Sequence, residues 1–132
     1  MPHLIFEYSA NVEGRIDLKA LCNAARLAAL ASGLFREGAL KVRAIRLDTF
    51  AIADDHPDNA IIDLTLRMEA GRPREARQKL GDSVFAAVSA LCAPLFASPH
   101  FALTLEIREI DPDFSWKRNV MHDRLRRPKG NS

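Results

Sequence analysis

Ile61-Ile62-Asp63-Leu64-Thr65-Leu66-Arg67-Met68 carries an apolar side chain at every second position, the period of a strand with one buried face. Gly71 breaks this run, and Pro73 suits the first turn of a helix. The helix runs to about Phe96, with Leu80, Val84, Phe85, Val88, Leu91 and Cys92 on its inner side; Pro94 falls near its end and shortens it. Ser98-Pro99 makes a turn, and Phe101-Ala-Leu-Thr-Leu-Glu-Ile-Arg-Glu-Ile110 alternates again. The second half of the chain therefore reads strand–helix–strand.

The first half repeats the plan. His3-Leu-Ile-Phe-Glu-Tyr-Ser9 is a short apolar strand, broken at Ser9-Ala10-Asn11. Asp17 is a good N-cap for a helix in which Leu18, Leu21, Cys22, Ala25, Leu27, Ala28 and Ala29 recur with helical spacing, and Gly33 stands where a glycine ends one. Residues 40–50 alternate as a strand. The turn-rich Ala53-Asp-Asp-His-Pro-Asp-Asn59 joins the two units.

The expected architecture is an α/β (α+β) fold in one domain, residues 1–132, with pseudo-repeats over about 2–50 and 60–110 and a tail over 111–132. Two β-α-β units make a four-stranded sheet with two helices on one face, and the strands of each unit run parallel through their helical crossover. The opposite sheet face is also expected to be apolar, with Ile62, Leu64 and Leu66 as the examples, and self-association is the economical way to cover it.

At 132 residues with 48% hydrophobic composition, the chain has enough apolar mass for a real core. A net charge of +2 is too small to argue for nucleic acid, and no run of about 18 apolar residues exists to span a membrane. The N-terminus lacks the pattern of a signal peptide, so a cytoplasmic location is expected. Cys22 and Cys92 lie in apolar helical segments and read as buried free thiols. Asp54, Asp55, His56 and Asp58 read as a connector rather than a metal site, and neither a metal nor a cofactor is expected. His100 and His122 read as incidental, and Arg124-Leu125-Arg126-Arg127-Pro128-Lys129 as a solvated or frayed tail.

The feature with chemistry in it is Met1-Pro2. Removal of Met1 leaves a proline secondary amine, and an apolar pocket with nearby cations lowers the pKa of such an amine towards that of a useful general base. A strand that starts at residue 3 holds that amine more firmly than a loose tail would.

Pro2-His3, Glu7-Tyr8-Ser9-Ala10-Asn11, Ala53-Asp54-Asp55-His56-Pro57-Asp58-Asn59-Ala60, Ala70-Gly71-Arg72 and Trp116-Lys117-Arg118-Asn119 together resemble the 5-carboxymethyl-2-hydroxymuconate delta-isomerase family of the tautomerase superfamily, over roughly residues 2–125. The resemblance implies a cofactor-independent isomerase of aromatic-compound catabolism, a homotrimer of doubled chains. It moves a proton in a carboxylated dienol, with Pro2 as base and arginines on the substrate carboxylates. Arg72 matches the Gly-Arg motif that ends the strand. Arg43, in Val42-Arg43-Ala44, resembles an arginine on the second strand of the smaller tautomerases. Lys41 shares a sheet face with Arg43 and stands where relatives tend to carry arginine, which exchanges a planar fork for a point charge. Two rival functions are another tautomerase-superfamily activity on a different enol or keto acid, and a non-catalytic oligomeric binding protein of the same fold.

Overall fold

The computed structural model describes residues 1–126. Strand β1 (His3–Ser9) is followed by a 3-10 turn (Ala10–Val12), helix α1 (Leu18–Ala31) and strand β2 (Lys41–Leu47). Strand β3 (Ala60–Glu69), helix α2 (Arg74–Leu91), the single turn α3 (Ala93–Phe96) and strand β4 (Phe101–Ile110) repeat that order. A second 3-10 turn (Pro112–Phe114) and the short helix α4 (Met121–Arg126) end the described chain.

The helices begin and end where local chemistry dictates. The Asp17 carboxylate accepts from the Ala20 N–H at 3.0 Å, a cap worth about 1 kcal/mol. Helix α2 stops at Cys92, and Pro94 sits at the start of α3, so the long apolar segment is two helices and not one.

The sheet order is β2-β1-β3-β4. Parallel pairs β1–β2 and β3–β4 are the two β-α-β units, and antiparallel β1–β3 joins them. Leu4, Phe6 and Tyr8 of β1 and Ile62, Leu64, Leu66 and Met68 of β3 point to the helix side and are buried. There they meet Leu21, Ala25 and Ala29 of α1 and Leu80, Val84 and Val88 of α2.

This corrects one expectation. Ile62, Leu64 and Leu66 face the helices and do not form a second apolar face. Strand parity puts Ile61, Asp63, Thr65 and Arg67 on the outer side, in register with Ala102, Thr104, Glu106 and Arg108 of β4. That outer face is mixed and largely charged, and a Thr104 hydroxyl donates across it to Asp63 at 2.5 Å.

The end of the sheet around Ser9 is tied by polar groups. Buried Ser9 accepts from the Ile61 N–H at 2.9 Å and donates to Asn11, whose amide donates to the Asn59 carbonyl at 2.8 Å. Asn59 in turn donates to Asp54 and to the Ile52 carbonyl, which fixes the connector. Among the described residues no helix is long and apolar enough to cross a membrane.

Leu64 sits at the centre of this core with no exposed surface. Leu64→Ala should lower stability by about 3 kcal/mol. Chemical denaturation should show a lower midpoint with an unchanged slope.

Candidate active site

Pro2 stands immediately before β1, and the antiparallel register decides what it meets. His3 opposes Arg67 and Leu4 opposes Leu66, so Pro2 lies beside Met68 and shares the helix-facing side with Leu4. Pro2 is buried, and it lines a cavity of about 290 Å³. Three segments complete the wall: Leu34, Phe35 and Arg36 after α1; Met68, Glu69 and Arg72 at the end of β3; and Lys117 and His122 of the C-terminal tail.

Arg72 reaches the cavity because Gly71, at φ 106°, turns the chain sharply where β3 ends. One arm of its guanidinium donates to the Leu34 carbonyl at 2.8 Å, which orients the group while leaving other N–H donors free. Exposed Arg36 adds a second cation to the same wall. Such an arrangement suits an anionic ligand with a planar carboxylate.

Glu69 is the one carboxylate on this wall among the described residues. It bonds to Lys117 and accepts from the Met1 amino group at 3.0 Å. Its bond with Lys117, and then those with the N-terminus, hold its carboxyl down at about 2. With Met1 attached, the Pro2 nitrogen is an amide and cannot accept a proton.

The other two expected cations lie elsewhere. Lys41 and Arg43 are in register with His3 and Ile5, on the outer face of the sheet and away from Pro2. Arg43 makes a 3.1 Å hydrogen bond with His3 Nδ1. Lys41 contributes its backbone N–H to the Pro2 carbonyl at 3.2 Å, and its Nζ lies 3.4 Å from Met1 Sδ. It lines a neighbouring cavity with His3 and Trp116. Burial, then the charges of Arg67, Arg43 and Lys41, push the His3 imidazole below its ordinary pKa. The structure therefore brings Arg72 to Pro2, sets Lys41 beside Met1, and turns Arg43 to the opposite face.

Sequence reasoning missed Arg36, Glu69, Lys117 and His122. It took Arg124 to Lys129 as a solvated or frayed tail and His122 as incidental, but Met121–Arg126 form α4 and place His122 in the cavity wall. The rest of that basic cluster, Arg127 to Lys129, falls outside the described residues. His100 is also not incidental: its Nδ1 hydrogen-bonds with Asn59 at 2.9 Å, and its ring stacks on His56 at 4.2 Å. Ligand atoms of His56, Asp58 and His100 lie within 4.8 Å of one another. Both Nδ1 atoms are engaged within the connector region: His56 Nδ1 accepts from the Asp58 N–H at 3.1 Å, and His100 Nδ1 bonds with Asn59. Cys92 is buried and Cys22 half-buried; both are free thiols, and burial pushes Cys92 up to about 11.

A duplicated β-α-β sheet with Pro2, the second residue of the chain, buried in a cationic cavity defines the tautomerase-type class of protein. The model of the family "5-carboxymethyl-2-hydroxymuconate isomerase" matches residues 2–125, and the chain belongs to that family. It is 34% identical to the Escherichia coli 5-carboxymethyl-2-hydroxymuconate Delta-isomerase over 122 residues, 92% of this chain and 97% of the relative. The crystal structure of a 5-carboxymethyl-2-hydroxymuconate isomerase from Deinococcus radiodurans R1 superposes with a TM-score of 0.89, at 34% identity, covering 96% of this chain and 95% of that one. A fused 4-OT symmetric trimer shares the fold at 12% identity, with a TM-score of 0.63 over 88% of this chain and 93% of that one. The chain is accordingly an enzyme, an isomerase of this family, and the non-catalytic reading is set aside.

The Glu69–Lys117 bond predicts an acid transition. A depressed carboxylate stabilises its partners above the ordinary range and loses that effect as pH falls through its folded value. The tail tether should hold at pH 5 and release between pH 4.5 and about 2. Trp116, the sole tryptophan and exposed beside Lys117, should report release as lower fluorescence anisotropy. Glu69→Gln should show the low value already at neutral pH.

Proposed function

We propose that, once Met1 is removed, the Pro2 amine is the general base of a cofactor-independent isomerisation of a carboxylated dienol such as 5-carboxymethyl-2-hydroxymuconate. The observation that carries this reading is the placement of Pro2 and Arg72 on one cavity wall. The E. coli relative is named for that substrate.

Pro2 nitrogen takes the proton of the 2-hydroxyl group. The oxygen lone pair closes to a carbonyl, the diene electrons shift along the conjugated chain, and C5 receives the proton from the prolinium. Proton and electron count are unchanged, so no redox partner is needed. Arg72 holds a carboxylate and stabilises negative charge as it grows on the dienolate. Arg36, Arg72 and the apolar wall of Leu34, Phe35 and Met68 disfavour a protonated Pro2 and bring its pKa towards neutrality. Lys41 lines the neighbouring cavity with Met1, His3 and Trp116, and serves as a further anion donor there once Met1 has left. Arg43, on the outer face, has no part in this chain's own cavity; it serves a carboxylate only where a neighbouring subunit presents that face.

The assembly we infer is a homotrimer in the cytoplasm, active in aromatic-compound breakdown. The fused 4-OT relative of the same fold is a symmetric trimer. Two features of this chain agree with a multi-copy assembly: among the described residues β2 and β4 are the edges of the sheet, and Trp116 and Phe114 are exposed.

Turnover of a carboxylated 2-hydroxymuconate, followed by ultraviolet absorbance, tests the assignment. Pro2→Ala should lower kcat by about a hundredfold or more, with KM little changed. Arg72→Ala should raise KM and lower kcat, for a loss in kcat/KM of about a hundredfold. Equal rates in wild type and both variants would refute the reading. So would intact mass showing Met1 on fully active protein.

A further inference from the structure

The tail residues 115–126 are fastened over the Pro2 cavity at three points. Lys117 bonds to Glu69 at the end of β3. The Asn119 amide donates to the Gly38 carbonyl at 2.6 Å, and its oxygen accepts from the Met121 N–H at 2.9 Å, which starts α4. The third point is Gly38 itself. A Cβ there would lie 3.0 Å from His122 Cα, 3.1 Å from its N and 3.1 Å from its Nδ1, so α4 approaches a backbone that has no side chain in the way. The result is a half-buried imidazole set into the cavity wall, 50 residues along the chain from Arg72 and on a different segment.

We propose that this strap is the substrate-selecting wall of the site, and that His122 donates a hydrogen bond to a second carboxylate of the substrate, one that Arg72 does not hold. The proposal rests on the reading of the cavity as a site for a carboxylated dienol. Among the described residues the cavity has four basic side chains, and Lys117 is already committed to Glu69. Arg72, Arg36 and His122 remain as donors, from three separate segments. A ligand with one carboxylate is served by Arg72 alone. A ligand with two, at opposite ends of a conjugated chain, uses donors on separate segments, and the tail supplies one that the β-α-β units lack. A neutral or a charged imidazole fulfils the role, since each has an N–H to donate.

Muconate and sorbate test this directly. They share a conjugated six-carbon chain, and muconate has one carboxylate more. Binding to Met1-free protein is measured by titration calorimetry, which does not depend on turnover. Wild type should prefer muconate. His122→Ala should weaken muconate by about tenfold, the value of a hydrogen bond to a charged group, and change sorbate by less than about twofold. His122→Gln should keep most of the muconate affinity, because its amide still donates. Gly38→Ala, which crowds the His122 backbone by a few tenths of an ångström, should weaken muconate selectively in the same direction and by less than His122→Ala; circular dichroism checks that the variants are folded. Equal weakening of both ligands in His122→Ala, no weakening of either, or no muconate preference in wild type would overturn the proposal. Full turnover in Pro2→Ala would instead remove the base assignment and leave these binding ratios as they stand.

Discussion

The antiparallel pairing of β1 with β3 is the constraint on which the rest of the molecule depends. Each β-α-β unit is parallel within itself, so each would place its two strand starts at one end and its two strand finishes at the other. Antiparallel joining turns one unit around and sets the start of β1 against the finish of β3. Pro2 and Arg72 are 70 residues apart, in different units, and only this pairing brings them to one cavity. The same pairing sends the connector and its Ser9–Asn11–Asn59 network to the far end, where it steadies the sheet without entering the site.

Parity is the second consequence of that register. Even-numbered residues of β1 and β3 face the helices, so Pro2 shares its side with Leu4 and Met68, while His3 faces out with Lys41 and Arg43. One sheet thus carries two cationic zones at the same end. The inner zone, with Arg72 and Arg36, is bounded by Leu34, Phe35 and Met68. The outer zone holds His3, Lys41, Arg43 and Arg67, and its charge is visible in the lowered pKa of His3. Separation by a single strand's thickness is enough to give Arg43 a histidine partner instead of a place beside Pro2.

Strand and helix assignments were legible because they rest on local periods. The alternation in Ile61–Met68, the Asp17 cap and the Pro94 stop each act within a few residues, and the elements lie close to where those signals put them. Facing was less legible. Ile62, Leu64 and Leu66 announce a buried side, but which side depends on where α1 and α2 pack. Lys41 and Arg43 could be placed on one face of β2, yet the register of β2 on β1 is set by pairing 38 residues away, which no local pattern encodes. His122 was illegible for the same reason in stronger form. Its position follows from a contact between Asn119 and Gly38, 81 residues apart, and from the missing side chain of a single glycine.

Glu69 shows how these long-range contacts bear on the chemistry. A free carboxylate on the wall beside Pro2 would favour a protonated amine and so oppose a proline base. Arg72 and Arg36 act in the other direction, but Glu69 is fixed at the end of the same strand that delivers Arg72, so the fold cannot supply one without the other. Lys117 resolves this by bonding to Glu69 directly, which offsets the carboxylate's charge at short range. The tail therefore acts on the site twice: once through His122, as a wall, and once through Lys117, as the neutralising partner of a carboxylate that β3 cannot help bringing along.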